Sequence, residues 1–175
     1  MNKPMIALIA ASAIPLSACA GDTTSAGKIT AQEVEAAQIA WGNGIVEIGK
    51  SNDPKAAAVD HIDEFYGYDE GAVLFKPTLA SVDQFRGSKK EALSYFVGQD
   101  LAEDKGFAMA PYVAVRWENE GIVTKGDTAL AMGNYFFTDT SGTETKVEYS
   151  FGYVKDENGD LKINLHHSSL PFSPN

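Results

Sequence analysis

The chain contains one cysteine, Cys19, in 175 residues. A single thiol closes no internal disulfide and cannot build a thiolate-rich zinc site. Histidine is scarce too: His61, His166 and His167 are the 3 present. His166 and His167 are adjacent on a predicted strand, where neighbours point to opposite faces, so they do not readily share one ion. A catalytic zinc takes about three protein ligands plus an open position. The inventory therefore runs against a three-histidine site. Zinc or manganese would need a site completed by aspartates or by a second subunit, so no cofactor is expected. Basic residues are outnumbered, 14 Lys and Arg against 24 Asp and Glu, for a formal net charge of −10. Such a surface repels nucleic acid and anionic lipid, and nucleic acid is dropped as a partner. There is no Gly-x-Ser-x-Gly elbow, so Ser-His-Asp catalysis is poorly supported. Internal repeats are also absent.

The N-terminus has a plain export pattern. Lys3 precedes Met5 to Ile14, which is apolar apart from Ser12. That run is too short to cross a bilayer as a helix, which takes about 20 apolar residues. A positive start, a short apolar stretch and small residues read as a secretory signal. The stretch ends in Leu16-Ser17-Ala18-Cys19, which resembles the lipobox of bacterial lipoproteins, where cleavage falls before the cysteine and the thiol is acylated. The expected organisation is 1–18 as lipoprotein signal peptide, 19–28 as a lipidated flexible tether, and 29–175 as a single α+β domain. The alternative is an ordinary signal cut near Ala18 or Ala20, leaving a free thiol. One acyl chain holds a membrane only marginally, but lipoproteins as a class carry several. Ala20 follows Cys19, without the aspartate that suggests inner-membrane retention. The expected location is the periplasmic face of the outer membrane, with the lipid as the only membrane attachment.

Within the domain, Thr30-Ala31-Gln32-Glu33 is a capping box with Ile29 and Val34 as its hydrophobic staple. Val34, Ala37, Trp41, Ile45 and Ile48 recur at helical spacing, predicting a helix from about Ala31 to Gly49. Gly42-Asn43-Gly44 lies inside it and reads as close packing, since no strand precedes it as in a phosphate loop. Asp53-Pro54 opens a second helix carrying Ala58, Ile62 and Phe65 inward. His61, between Asp60 and Asp63, is expected to be solvated there. Ala72 to Phe75 is a short strand. Ser88-Lys89-Lys90-Glu91 caps a third helix with a stripe of Leu93, Phe96, Val97 and Leu101. Period two then takes over. Strands are expected at Tyr112–Trp117, Thr128–Thr138, Lys146–Val154 and Leu161–Ser169, with Asn158-Gly159 as a hairpin turn. Helices followed by an antiparallel meander predict an α+β fold. Its expected form is a cone-shaped, curved antiparallel sheet around a long N-terminal helix, as in nuclear transport factor 2-like (cystatin-like) folds.

The densest chemistry is His166-His167-Ser168-Ser169-Leu170-Pro171, at the end of the last strand. It is either a polar site or a strand fraying into a tail. Asp60, Asp63 and Glu64 are either general bases, as in isomerases of this cone, or a polar helix face. Arg116 is either an anion holder or a surface ion pair.

Several motifs together resemble the iota-class carbonic anhydrases. They are Phe75-Lys76-Pro77-Thr78, Ser94-Tyr95-Phe96, Gly106-Phe107 with Val115-Arg116, Glu118-Asn119, Ala131-Met132-Gly133-Asn134-Tyr135, Val147-Glu148-Tyr149, Phe151-Gly152-Tyr153 and the terminal HHSSLP. The resemblance covers nearly the whole domain. That family is a relative of the calcium/calmodulin-dependent kinase association domains, which share the cone and self-associate. The resemblance implies reversible hydration of CO2 to bicarbonate inside each cone, by subunits that form a homodimer, in at least some members without metal. Carried over residue by residue, it implies Thr78, Tyr95 and Ser168 as bicarbonate-binding hydroxyls, with His166 beside Ser168 on the same strand face. Fixed hydroxyl donors suit an anion whose charge develops during reaction. Without a metal to bring water from a pKa of about 15.7 to about 7, a base must take its proton, and His166 is the expected partner in that transfer. Simple alternation, however, puts His167 and Ser169 on the apolar face with Leu161, Ile163 and Leu165. A bulge, or a polar pocket on the opposite face, would bring in His166 and Ser168 instead. Likewise Tyr95 lies about 200° around its helix from Leu93, which by periodicity leaves it outside the core. Two other functions fit the fold. One is a non-catalytic small-molecule-binding or self-association module. The other is an isomerase or cyclase, which needs a buried carboxylate inside the cone.

Overall fold

The computed structural model describes residues 27–174; the predicted signal segment, Cys19 and most of the tether lie outside the described residues, as does Asn175. Helix α1 covers Ala31–Lys50. The capping box sets its start: Glu33 N–H donates to Thr30 Oγ1 at 3.2 Å, and Thr30 N–H donates to the Glu33 carboxylate at 2.7 Å. Each bond satisfies an amide that the first turn leaves without a helical partner. Ile29 and Val34 are both buried, as a staple requires. The inward face of α1 is Val34, Gln38, Trp41, Ile45 and Ile48.

Helix α2, Pro54–Phe65, begins where the Asp53 carboxylate accepts the Ala56 N–H at 3.1 Å. His61 is not solvated here: it is 4% exposed, in the same inward stripe as Ala58, Ile62 and Phe65. Positions 58, 61, 62 and 65 form one helix face, while Asp60 and Asp63 point to water. Gly44 makes room for the ring, since a Cβ there would stand 2.2 Å from His61 Nδ1. Burial pushes the His61 pKa down to about 3.

Strand β1 is Leu74–Lys76, followed by helix α3, Lys89–Val97, which Ser88 and Glu91 cap reciprocally. Gly98, in the left-handed region at φ 77°, stops α3 before Leu101. The predicted stripe therefore shifts. Ala92, Ser94, Tyr95 and Phe96 are buried, with Leu93 and Val97 half-buried. Tyr95 is buried because α3 is covered on a second side by Phe107, whose ring stacks on it at 5.5 Å. Phe107–Met109 forms a short 3-10 turn.

The remaining strands are β2 (Tyr112–Lys125), β3 (Thr128–Asp139), β4 (Glu144–Lys155) and β5 (Leu161–Ser169). The five strands lie in the order β1-β5-β4-β3-β2. The meander β2 to β5 is antiparallel as expected, but β1 pairs parallel with β5. The sheet is thus mixed and not closed, because the edge strand enters from the helical half of the chain. Strand β2 runs past Trp117 through an irregularity between Asn119 and Gly121, which hides the alternation. The curved sheet packs its aromatic face on α1 in the nuclear transport factor 2-like arrangement. Trp41 lies 5.7 Å from Trp117 and 5.9 Å from Phe151, ring to ring.

Candidate active site

The site forms where the end of β5 meets the loop after β1. Leu165 pairs with Gly152, but Tyr153 pairs with Ile163, so Asn164 is an extra residue in β5. One extra residue reverses the inside–outside alternation beyond it. Ile163, His166 and Ser168 are consequently buried at 2%, 3% and 2% exposure, while His167 is exposed. Gly152 accommodates the bulge, because a Cβ there would lie 2.8 Å from Asn164 Oδ1. Parity alone favoured His167 and Ser169; the bulge brings His166 and Ser168 inside. Ser169 instead reaches Glu148 on the outside at 3.3 Å.

Thr78 follows the buried Pro77 and donates its hydroxyl to Ser168 Oγ at 2.9 Å. The Tyr135 hydroxyl lies near Ser168, and the Tyr95 hydroxyl near the backbone of Leu79, one residue past Thr78. Burial holds the Tyr95, Tyr66 and Tyr135 hydroxyls above the usual phenol range, so at neutral pH all three keep their protons and can donate. Beside Tyr95 a cleft of about 450 Å³ is lined by Leu79, Asp104, Phe107, Met109 and Tyr112 among others.

His166 occupies an aromatic cage. Phe75 stacks on its ring at 4.5 Å and Phe151 approaches at 4.1 Å. Its Nδ1 lies 2.8 Å from the Tyr66 hydroxyl and its Nε2 3.4 Å from that of Tyr135. The Tyr66 oxygen in turn accepts the Trp41 indole N–H at 3.1 Å. Burial first, then the nearby His167 and His61, holds His166 well below the ordinary histidine pKa. The ring is therefore neutral at pH 7. Tyr66, Tyr135 and Trp41 were not singled out from the sequence for this site. Trp41 gave only a core signal, and nothing local ties Tyr66 to a histidine 100 residues away.

The other candidates fall elsewhere. Arg116 is exposed, bonds Glu144 at 3.0 Å and lies over the Phe136 ring, which makes it a surface ion pair. Asp60, Asp63 and Glu64 are exposed, and Asp63 pairs with Lys89 at 2.8 Å. They supply no carboxylate to the inside of the cone. Among the described residues, no group of three or more His, Cys, Asp or Glu side chains could hold a metal ion. The chemistry that this arrangement offers is a set of neutral hydrogen-bond donors in a mostly aromatic enclosure, suited to a small planar anion.

Known proteins resemble this chain in sequence and fold. The sequence model of the metal-independent carbonic anhydrase family matches residues 32–170. A metal-independent carbonic anhydrase from Nostoc sp. (strain PCC 7120 / SAG 25.82 / UTEX 2576) is 47% identical over 153 residues, which is 82% of this chain and 75% of the relative. The crystal structure of a cyanobacterial iota-carbonic anhydrase complexed with bicarbonate superposes with a TM-score of 0.81 at 44% identity, covering 84% of this chain and 95% of that one. A Xanthomonas campestris protein described as a calcium/calmodulin dependent protein kinase II association domain shares the fold alone, with a TM-score of 0.52 at 23% identity over 83% of this chain and 91% of its own. With the family model spanning both Thr78 and the β5 cluster, this chain belongs to the metal-independent carbonic anhydrase family.

Proposed function

We propose that this protein catalyses the reversible hydration of carbon dioxide to bicarbonate without a metal, in the pocket bounded by Thr78, Tyr95, Ser168 and His166. The observation that carries this is the Thr78–Ser168 contact of 2.9 Å on a buried strand end, in a chain 44% identical to a relative solved with bicarbonate. Hydroxyl donors held in place stabilise the negative charge that appears on the CO2 oxygens as water adds. Water supplies the oxygen, bicarbonate forms, and one proton leaves to solvent. His166 contributes as a neutral ring that orients its neighbours. Both of its nitrogens face tyrosine hydroxyls, so no free lone pair is offered to an incoming water. This departs from the expectation that His166 takes the proton. The carboxylates weighed as bases, Asp60, Asp63 and Glu64, are exposed on α2 and do not enter the cone, which is why the isomerase reading is set aside. Stopped-flow hydration by chelator-treated protein tests the activity. A rate no faster than buffer would sink the reading, and a rate that returns only on adding zinc or manganese would sink its metal-free form.

Export and assembly complete the reading. The Leu16-Ser17-Ala18-Cys19 motif supports cleavage before Cys19, acylation of its thiol and anchoring at the periplasmic face of the outer membrane. Mass spectrometry of the N-terminal peptide checks this, since an unmodified thiol there refutes it. Pairing into a homodimer is supported by an apolar row on the outer face of the sheet. Leu74, Leu130, Met132 and Val123 there are 67%, 59%, 57% and 68% exposed. Exposed apolar patches of this kind mark interaction surfaces. Sedimentation should give a dimer that Leu130→Glu splits; a monomeric parent protein counts against it.

A further inference from the structure

The loop between β1 and α3 carries Thr78, and its apolar side chains do little to hold it. Leu79, Val82 and Phe85 are 62%, 89% and 64% exposed, so burial of these groups does not fix its shape. Polar bonds do. At its neck the Arg86 N–H donates to the Phe75 carbonyl at 2.8 Å, and the Tyr68 hydroxyl donates to the Arg86 carbonyl at 2.7 Å. The fully buried Arg86 side chain donates to the Phe85 carbonyl at 3.1 Å and to the Asp104 carboxylate at 2.6 Å. At its tip three successive amides converge on one carboxylate. Ser81 N–H and Val82 N–H donate to Glu103 Oε2 at 2.8 and 3.0 Å, and Asp83 N–H donates to Oε1 at 2.8 Å. The Ser81 hydroxyl adds a further bond to Oε2 at 3.1 Å.

A carboxylate accepts at both oxygens, which suits such a set of donors. The amides of Val82, Ser81 and Asp83 in turn hold the Glu103 pKa down to about 2, so the group is ionised at neutral pH. Glu103 also belongs to the other half of the site. It stands in the segment after α3, which Ser94 fastens to that helix. The buried Ser94 hydroxyl accepts the Asp100 N–H at 3.2 Å and the Leu101 N–H at 2.8 Å. Tyr95 is the next residue along α3. Leu79, Tyr95 and Glu103 line the same cleft. One carboxylate thus joins the loop that bears Thr78 to the helix that bears Tyr95.

We infer that Glu103 is a positioning residue, whose carboxylate fixes the loop after β1 so that the Thr78 hydroxyl stays on Ser168 beside Tyr95. This rests on reading the pocket as the bicarbonate site. Glu103 itself touches no reacting atom. Thr78 precedes Ser81, the first residue whose amide Glu103 holds, by two intervening residues, and its hydroxyl is bonded to Ser168 at 2.9 Å. A loop released at its tip lets that hydroxyl drift, and a displacement of about 1 Å in a binding group costs up to about 10²-fold in rate. An amide does not replace the carboxylate. Glu103→Gln has one acceptor oxygen, and its NH2 group then faces either the Asp83 N–H or those of Ser81 and Val82.

Amide hydrogen exchange tests the clamp apart from any activity. The Ser81, Val82 and Asp83 amides should exchange slowly in the parent protein and at least about tenfold faster in Glu103→Gln, with β4 unchanged. Fast exchange in the parent, or equal protection in the variant, overturns the proposal even if CO2 hydration is confirmed. The kinetic arm is a double-mutant cycle on kcat/KM. Glu103→Gln should lower it about tenfold in the parent background and leave it nearly unchanged in Thr78→Ala, because no hydroxyl is then left to position. Equal losses in both backgrounds would show a merely structural role. No loss in the parent background would show that Thr78 does not depend on the clamp, and either result overturns the proposal. Glu103→Asp keeps the charge but is one methylene shorter, and it replaces Glu103→Gln in both tests if that variant does not fold. A parent protein without hydration activity sinks the functional reading separately, and exchange still decides whether Glu103 holds the loop.

Discussion

The sharpest perturbation compares the two serines at the end of β5. Ser168 and Ser169 are adjacent and chemically identical, but the bulge at Asn164 puts one inside and the other outside. Ser168→Ala removes a donor aimed at the developing anion. Loss of one such preorganised donor costs about 3–4 kcal/mol of transition-state stabilisation, or about 10²–10³ in kcat. The fold should lose far less. Thr78 forfeits its 2.9 Å acceptor but is only half-buried, so it can turn to water. A net loss of about 1 kcal/mol follows, equivalent to a melting shift of roughly 2–4 °C in a domain of this size. Ser169→Ala removes a 3.3 Å contact to the exposed Glu148 and should change stability by less than about 0.5 kcal/mol and the hydration rate not at all. Stopped-flow assays with thermal melts on both variants decide the matter. Equal rates for the two, or a loss confined to Ser169→Ala, would mean that the bulge does not set the working face.

Three further predictions follow from buried polar groups. His61 has a pKa near 3 in the fold against about 6.5 unfolded. The unfolded chain therefore binds the extra proton between these values, and stability falls as pH drops from about 6.5 to about 3, at up to about 1.4 kcal/mol per pH unit. Denaturant titrations at several pH values should show His61→Leu with the shallower slope, and identical slopes would refute this. Arg86 is fully buried and bonds Asp104 at 2.6 Å. Arg86→Ala strands that carboxylate and should cost about 3–5 kcal/mol by urea unfolding; a loss under 1 kcal/mol would show that water takes over. Gly44→Ala forces a methyl against the His61 ring and should cost about 1–3 kcal/mol, with most of the loss recovered when His61→Ala is added.

Much of the fold is legible in the sequence. Both capping boxes, at Thr30 and Ser88, are local devices, because the bond partners lie three residues apart. Alternation in Lys146–Val154 and the Asn158-Gly159 turn are local too. The face of α2 that holds His61 was also in the sequence, as the spacing of 58, 61, 62 and 65. The flanking aspartates masked it. The parallel pairing of β1 with β5 was not legible, since it joins Leu74 to Leu165 across most of the domain.

For the site, the sequence by itself determined the candidates: Thr78, Tyr95, His166 and Ser168 in motifs that resemble one family, and too few thiols and histidines for a conventional zinc centre. Which of two adjacent histidines and serines is turned inward was decided only by the tertiary structure. One extra residue at Asn164, tolerated because Gly152 has no side chain, inverts the strand beyond it. The partners of His166 were decided there as well. They are Tyr66 and Tyr135, with Trp41 behind Tyr66, brought from two other elements and a loop end, and a ring buried among them stays neutral because burial disfavours its charged form.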